Sequence, residues 1–208
     1  MAVLEFIGIA SFALSGAMVG IEKKADVFGV IFLAVVTALG GGVLRDTLLG
    51  HLPPRMFTSF EYIALAAVCA LLVFLDARAR RDKYRAHKDK LDAVVNIFDA
   101  AGLAAFTVTG MDMAIADCGM GNPLLPVLLG MTTGVGGGML RDVLTNAMPM
   151  VLRKRVYAVA SLMGAALYCA LLYLGVNRVV GAVAAMGLIF ALRILATVFK
   201  WNLPKAEL

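Results

Sequence analysis

Gly40-Gly41-Gly42-Val43-Leu44-Arg45-Asp46 returns 96 residues later as Gly136-Gly137-Gly138-Met139-Leu140-Arg141-Asp142. The match continues to a proline, Pro53 against Pro149, and eight of the fourteen positions are identical. Each copy carries a threonine three residues before the first glycine, Thr37 and Thr133. Both copies lie toward the far ends of long apolar segments, where triple glycine and an adjacent ion pair are costly. A costly feature placed twice at equivalent positions is the main clue to the fold.

The surrounding composition fixes the solvent. Of 208 residues, 62% are hydrophobic and 16% charged, with mean hydropathy +0.90. Soluble domains run at about 45–50% apolar and about 25% charged residues. The chain therefore reads as an all-α integral membrane protein, a single transmembrane domain over 1–208. Seven apolar segments have the length of a spanning helix: 3–21, 28–49, 58–76, 94–115, 122–146, 156–175 and 178–200. Helices are required, because lipid offers the backbone no hydrogen-bonding partner. Glu5 and the absence of a basic leader make the first segment a mature helix rather than a signal peptide.

The loops orient these spans. If the helices alternate, fourteen of the 19 Lys and Arg residues fall on one side, seven of them between Arg78 and Lys90. The other side holds Arg55 and Arg178, while Arg45, Arg141 and Arg193 lie within spans. The positive-inside rule places the N-terminus outside and the C-terminus in the cytoplasm, in the cell's inner (plasma) membrane. The loop 77–91 is then a cytoplasmic basic loop, most simply a solvated stretch that sets topology; membrane lipids are partners, and binding of anionic headgroups by this loop is the competing account.

The repeat extends upstream of the glycines. Phe12-Ala13-Leu14-Ser15-Gly16 aligns with Phe106-Thr107-Val108-Thr109-Gly110, and Glu5 with Asp99, at an offset of 94. Spans 1–3 (3–76) and 4–6 (94–175) are thus copies, and span 7 (178–200) stands outside them. Three helices is an odd number, so the second copy enters the membrane from the opposite face. The result is a 3+3 inverted repeat plus a seventh helix, an architecture that places a pathway between its halves.

On that reading the glycines 40–42 and 136–138 interrupt or kink spans 2 and 5 and expose carbonyls; close helix packing is the competing account. Adjacent residues on a helix do not face one another, so Arg45 and Arg141 need partners other than Asp46 and Asp142. Depth suggests Glu5 for Arg45 and Asp99 for Arg141, one pair near each mouth; snorkelling to the nearby interface is the alternative. Ser15 and Thr109, with Thr37 and Thr133, are matched hydroxyls that line a wet path or bond back to their own helices. Ser11, Thr107 and Thr132 lie nearby, and Asp112 is placed close enough to the outer mouth to stay unburied.

Other chemistries find little support. Cys69, Cys118 and Cys169 are isolated, His51 and His87 are far apart, and no cofactor or resident metal is expected. The glycines fit neither a dinucleotide fingerprint nor a P-loop, so an enzyme is not expected, nor is nucleic-acid binding.

In its doubled Gly-Gly-Gly-x-Leu-Arg-Asp and Phe-x-x-Ser/Thr-Gly motifs and its helix count, the chain resembles the prokaryotic trimeric intracellular cation (TRIC) channels. That family overlaps small bacterial membrane proteins labelled glycine transporters. The resemblance spans Glu5 to Phe199. It implies a homotrimer in which each protomer encloses its own pore, passing K⁺ in preference to Na⁺ through spans 2 and 5 kinked at their glycines. Glu5 stands where the family more often has Asp, with charge retained. The animal members' basic lipid-binding motif is not evident. The residues themselves leave open a secondary transporter of glycine or another small amino acid, and a trimeric scaffold without transport.

Overall fold

A computed structural model describes residues 2–80, 88–153 and 156–201. Its helices are α1 (Ala2–Glu22), α2 (Val27–Leu48), α3 (Arg55–Thr58), α4 (Phe60–Ala79), α5 (Lys88–Cys118), α6 (Leu124–Leu144), α7 (Met150–Arg153), α8 (Val156–Tyr173) and α9 (Arg178–Val198). Seven of them are long and apolar enough to cross a membrane, and no strand occurs among the described residues. Most of the basic residues expected between 78 and 90, together with Lys154, Arg155 and Lys205, lie outside the described residues or their described side chains.

The largest departure from the expected spans is α5, which has 31 residues rather than 22. At 1.5 Å per residue it is about 46 Å long, well beyond a hydrocarbon core of about 30 Å. It therefore tilts or projects beyond the hydrocarbon. Asp99 consequently lies about three turns inside the helix rather than at its start.

Local chemistry repeats along with the sequence. Both α2 and α6 end in the same cap, with Gly50 (φ 78°) and Asn146 (φ 51°) in the left-handed region at equivalent positions. His51 N–H donates to the Asp46 carbonyl and Ala147 N–H to the Asp142 carbonyl, both at 2.8 Å. This six-to-one bond satisfies an otherwise orphaned carbonyl and stops the helix. A short helix then follows each proline, α3 and α7, which hydropathy alone does not reveal. At other helix starts, Asp26 caps α2 through Gly29 N–H (2.7 Å) and Asn177 caps α9 through Val179 N–H (2.8 Å).

Packing obeys the exchange of repeats. Within the first, α1, α2 and α4 pack pairwise and α3 bridges α2 and α4; within the second, α5, α6 and α8 do so and α7 bridges α6 and α8. Between them α1 packs on α5, α2 on α6, and each first helix also meets the other repeat's second. Helix α9 breaks the pattern: among the described residues it packs on α8 and α5 alone.

The buried core is the seam between the repeats, where Phe12 and Phe106 lie with ring centroids 5.4 Å apart. Phe12 seats on Gly102 and Phe106 on Gly8, positions related by the same offset of 94. Apolar side chains exposed on α4 (Val68, Leu71, Leu72, Leu75) and α9 (Val179, Val180, Val183) face outward, the pattern expected beside lipid.

Candidate permeation pathway

Both glycine triplets sit in helices that run unbroken from Val27 to Leu48 and from Leu124 to Leu144. The expected interruption of helical structure is therefore not present. All six glycines are buried, and each meets a different neighbour. A methyl group on Gly40 would strike Leu140, and one on Gly136 would strike Leu44, its counterpart. On Gly41 it would strike the carbonyl oxygen of Thr133, and on Gly137 that of Thr37. Gly42 faces Met56, whereas Gly138 faces the hydroxyl of Tyr157. Three faces of each helix carry three separate approaches, which is why three consecutive glycines are needed. Small residues that admit a neighbouring backbone are a device of membrane helix packing.

The hydroxyls are placed by the same crossing. Thr37 donates to the Leu33 carbonyl and Thr133 to the Leu129 carbonyl, both at 2.6 Å. Their side chains are fully buried, so the matched threonines bond back to their own helices rather than lining a wet surface. They also fill the space left by the glycines of the second motif: Gly16 packs on Thr37, and Gly110 on Thr133. Thr109 reaches its own Phe106 carbonyl at 3.4 Å. Thr107 bonds the Leu103 carbonyl and Ser161, each at 2.7 Å. Ser15 departs from its mate, for it accepts from Arg141 Nη1 at 2.6 Å.

The charged residues form two clusters, one at each end of the seam. At the Asp99 end, Arg141 Nη1 donates to Asp99 Oδ1 at 2.8 Å, and both side chains are fully buried. At the Glu5 end, Arg45 Nη1 lies 3.7 Å from Glu5 Oε1. Each arginine also pairs with the aspartate beside it. Arg45 Nε donates to Asp46 Oδ1 at 2.8 Å, and Arg141 Nε to Asp142 Oδ1 at 2.9 Å. The expectation that neighbours on a helix cannot meet fails here for a physical reason. The side-chain surface argument concerns Cβ directions, but an arginine stem is long enough to curl around the roughly 100° that separates adjacent side chains.

The second oxygen of each aspartate has its own task. Asp46 Oδ2 accepts the N–H of Arg55 at 2.9 Å, and Asp142 Oδ2 that of Met150 at 2.8 Å. The Arg-Asp pair thus ties the helix end to the short helix that follows, twice. Charge-assisted bonds of this kind are among the stronger ones available.

Comparison with known proteins follows the same division. A family model described as "Glycine transporter" matches residues 2–78 and again residues 96–173, one match per repeat. The inner membrane protein YadS of Escherichia coli K12 is 36% identical over 201 residues, covering 96% of this chain and 92% of its own. A membrane protein of Deinococcus radiodurans is 40% identical over 164 residues, covering 78% of this chain and 72% of its own. Among solved structures, a prokaryotic TRIC channel in KCl superposes with TM-score 0.87 at 33% identity, covering 97% of this chain and 98% of that one. The TRIC orthologue from Rhodobacter sphaeroides gives TM-score 0.85 at 30% identity, covering 96% and 98%. The chain belongs to the prokaryotic TRIC family, which overlaps the family described as glycine transporters. It is a multi-pass membrane protein like its inner-membrane relatives.

Within this TRIC-family chain, several residues of the two clusters escaped sequence reasoning. Tyr62 Oη donates to Glu5 Oε2 at 3.0 Å. Its counterpart Tyr157 is fully buried beneath Arg193, whose guanidinium carbon lies 4.6 Å from the ring centroid. Arg193 comes from α9 and has no equivalent in the first repeat. It donates to Asn96 Oδ1 at 2.8 Å and lies 3.8 Å from Asp99 Oδ2. The signal for Tyr62 and Tyr157 was present, since they stand 95 residues apart in the third span of each copy. Asp112 is a further correction: it is buried and accepts from Tyr168 Oη at 2.8 Å. Burial is tolerated because that hydroxyl replaces water at one carboxylate oxygen.

Proposed function

We propose that the protein is a cation channel of the TRIC type, passing K⁺ passively between the two repeats of each protomer in a homotrimer. The observation that carries this reading is the seam itself: a two-fold-related helix crossing with one cluster of paired charges at each end, around Glu5 and Asp99. Solved relatives at 30–33% identity and near-complete coverage are described as TRIC cation channels, one of them in work on conductance. In the conformation described, Phe12, Phe106 and the glycine contacts fill the middle of the seam. Conduction then requires α2 and α6 to part or bend, and the triplets are where a helix bends most cheaply. Ser15, Thr109 and the carbonyls beside Gly40–Gly42 and Gly136–Gly138 would face the widened path and replace part of the ion's hydration shell. The basic-loop asymmetry supports an external N-terminus and a cytoplasmic C-terminus.

Purified protein in planar bilayers under a K⁺ gradient tests the proposal. Discrete unitary currents that reverse near the K⁺ equilibrium potential are expected. Glycine-dependent flux without unitary steps would instead establish a carrier, the reading favoured by the description of the matching family. Carrier function demands alternating access around a central site.

A further inference from the structure

We propose that the Glu5 end of the seam holds a binding site for a small carboxylate-bearing solute, seated on the guanidinium of Arg45. The two ends of the molecule contain the same arginine but treat it differently. At the Asp99 end the protein supplies its own acceptors: Arg141 Nη1 meets both Asp99 at 2.8 Å and Ser15 at 2.6 Å. At the Glu5 end the acid is drawn away. Tyr62 Oη holds Glu5 Oε2 at 3.0 Å, and the nearest approach to Arg45 Nη1 is 3.7 Å.

Arg45, a fully buried side chain, thus has both terminal nitrogens without a hydrogen-bond partner, whereas in Arg141 only Nη2 lacks one. Nη2 lies 2.8 Å from Asp46 Oδ1, yet that oxygen is already taken by Nε and the Nη2 contact is not aligned for a bond. A buried, charged donor without an acceptor is costly enough that native structures rarely leave one.

Arg45 is one of the residues around a cavity of about 130 Å³, together with Glu5, Arg55, Met56, Ser59 and Tyr62. Its chemistry selects an occupant. Two of the lining residues are arginines against one carboxylate, and an oxyanion with two oxygens matches the terminal face of a guanidinium. Arg55 stands at the rim with 47% of its side chain exposed and adds a second positive charge. Size limits the rest, since a cavity of ~150 Å³ takes a benzene-sized molecule. The solute therefore has about four to six heavy atoms, the range of acetate or of the smallest amino acids. An ammonium group on the same solute would point to Glu5.

The site follows from the unsatisfied arginine and the cavity, and it does not depend on the protein being a channel. Full-length protein in detergent is titrated with sodium acetate, glycine and methylammonium chloride at constant ionic strength, following the melting temperature and the heat of binding. Saturable stabilisation by acetate and glycine, absent with methylammonium, is expected. Arg55→Gln weakens it about tenfold, as loss of one charge-assisted partner should; its main-chain bond to Asp46 is untouched, so folding is retained. Arg80→Gln, at the opposite end of α4 from Ser59 and Tyr62, leaves binding unchanged. Tighter binding of glycine than acetate, lost in Glu5→Gln, assigns a zwitterion, and equal binding assigns a plain carboxylate. No saturable response, an equal response to methylammonium, or full affinity in Arg55→Gln overturns the site. Bilayer currents recorded without these solutes report on conduction separately.

Discussion

Gly41 packs directly against the backbone carbonyl of Thr133, and the repeat answers with Gly137 against the carbonyl of Thr37. Two helices can cross this closely only where neither carries a Cβ. The crossing places α2 and α6 in contact at mid-seam, and every other matched contact, Phe12 on Gly102 or Thr37 under Gly16, radiates from it.

Gly41→Ala and Gly137→Ala should each destabilise the protein. Alanine gains about 1 kcal/mol of helix propensity over glycine, but the new methyl group has backbone, not a movable side chain, in its way. Overpacking of this sort costs about 1–3 kcal/mol, so the net effect is a loss. Gly187→Ala, in α9 with nothing nearby to strike, should be neutral or stabilising. Thermal melts of the purified protein decide it; equal melting temperatures for Gly41→Ala and Gly187→Ala would remove the crossing argument. Bulkier residues at Gly41 or Gly137 should also reduce single-channel conductance while leaving the oligomer intact.

Asp142 is expected to tolerate Asn better than Ala. Its two oxygens serve Arg141 Nε and Met150 N–H, and the Asn carbonyl can keep one of these bonds. Both changes remove a counter-charge from a fully buried guanidinium, which costs about 3–5 kcal/mol where a buried pair is broken, but alanine also keeps neither hydrogen bond. Asp46 should show the same ranking, through Arg45 and Arg55. Chemical denaturation of the two series reports the order, and an Ala variant as stable as its Asn partner would contradict it.

Arg193 and Asp99 should prove energetically coupled. Asp99→Asn alone takes one counter-charge from two guanidiniums, those of Arg141 and Arg193. Arg193→Met alone leaves Asp99 with Arg141 and removes one buried cation. The double variant should therefore lose less stability than the two singles summed, with a coupling of about 0.5–3 kcal/mol. Simple additivity would show that α9 merely lies beside the cluster.

Why some of this was legible before any coordinates is a matter of which signals are local. The seven spans and the inverted repeat rest on hydropathy and on motifs that recur in register, so they were readable directly. Proximity of Arg141 to Asp99, and the looser approach of Arg45 to Glu5, followed from depth, because an odd-numbered repeat puts matched charges at opposite ends. Three consecutive glycines suggest a break or a close approach, because a helix interior seldom holds three. What the sequence could not display is that three different neighbours press on three faces, since those neighbours come from another repeat. Arg193 was equally hidden, having no mate to mark it. The curl of Arg45 onto Asp46 depends on side-chain reach, which spacing rules based on Cβ positions ignore.

Tyr168 and Asp112 provide the last test, at a polar pair outside the repeat symmetry. Asp112 has no acidic counterpart in the first copy, where Met18 aligns with it, and it is buried with its Oδ2 unpartnered. Tyr168 Oη supplies the hydrogen bond to Oδ1 at 2.8 Å from within a cluster of Val108, Met111, Ala165, Cys169, Ala182 and Ala185. Tyr168→Phe preserves the ring that packs on Gly181 and deletes only the donor. Interhelical hydrogen bonds in membranes are worth about 0.6 kcal/mol on average, with a maximum near ~1.7. A buried carboxylate acceptor places this one toward the upper figure. Tyr168→Phe should accordingly lower stability by about 1–2 kcal/mol, and adding Asp112→Met, the residue found at the matching position, should recover most of the loss. An Asp112→Met/Tyr168→Phe double variant no more stable than Tyr168→Phe would show that the carboxylate is not the group left wanting.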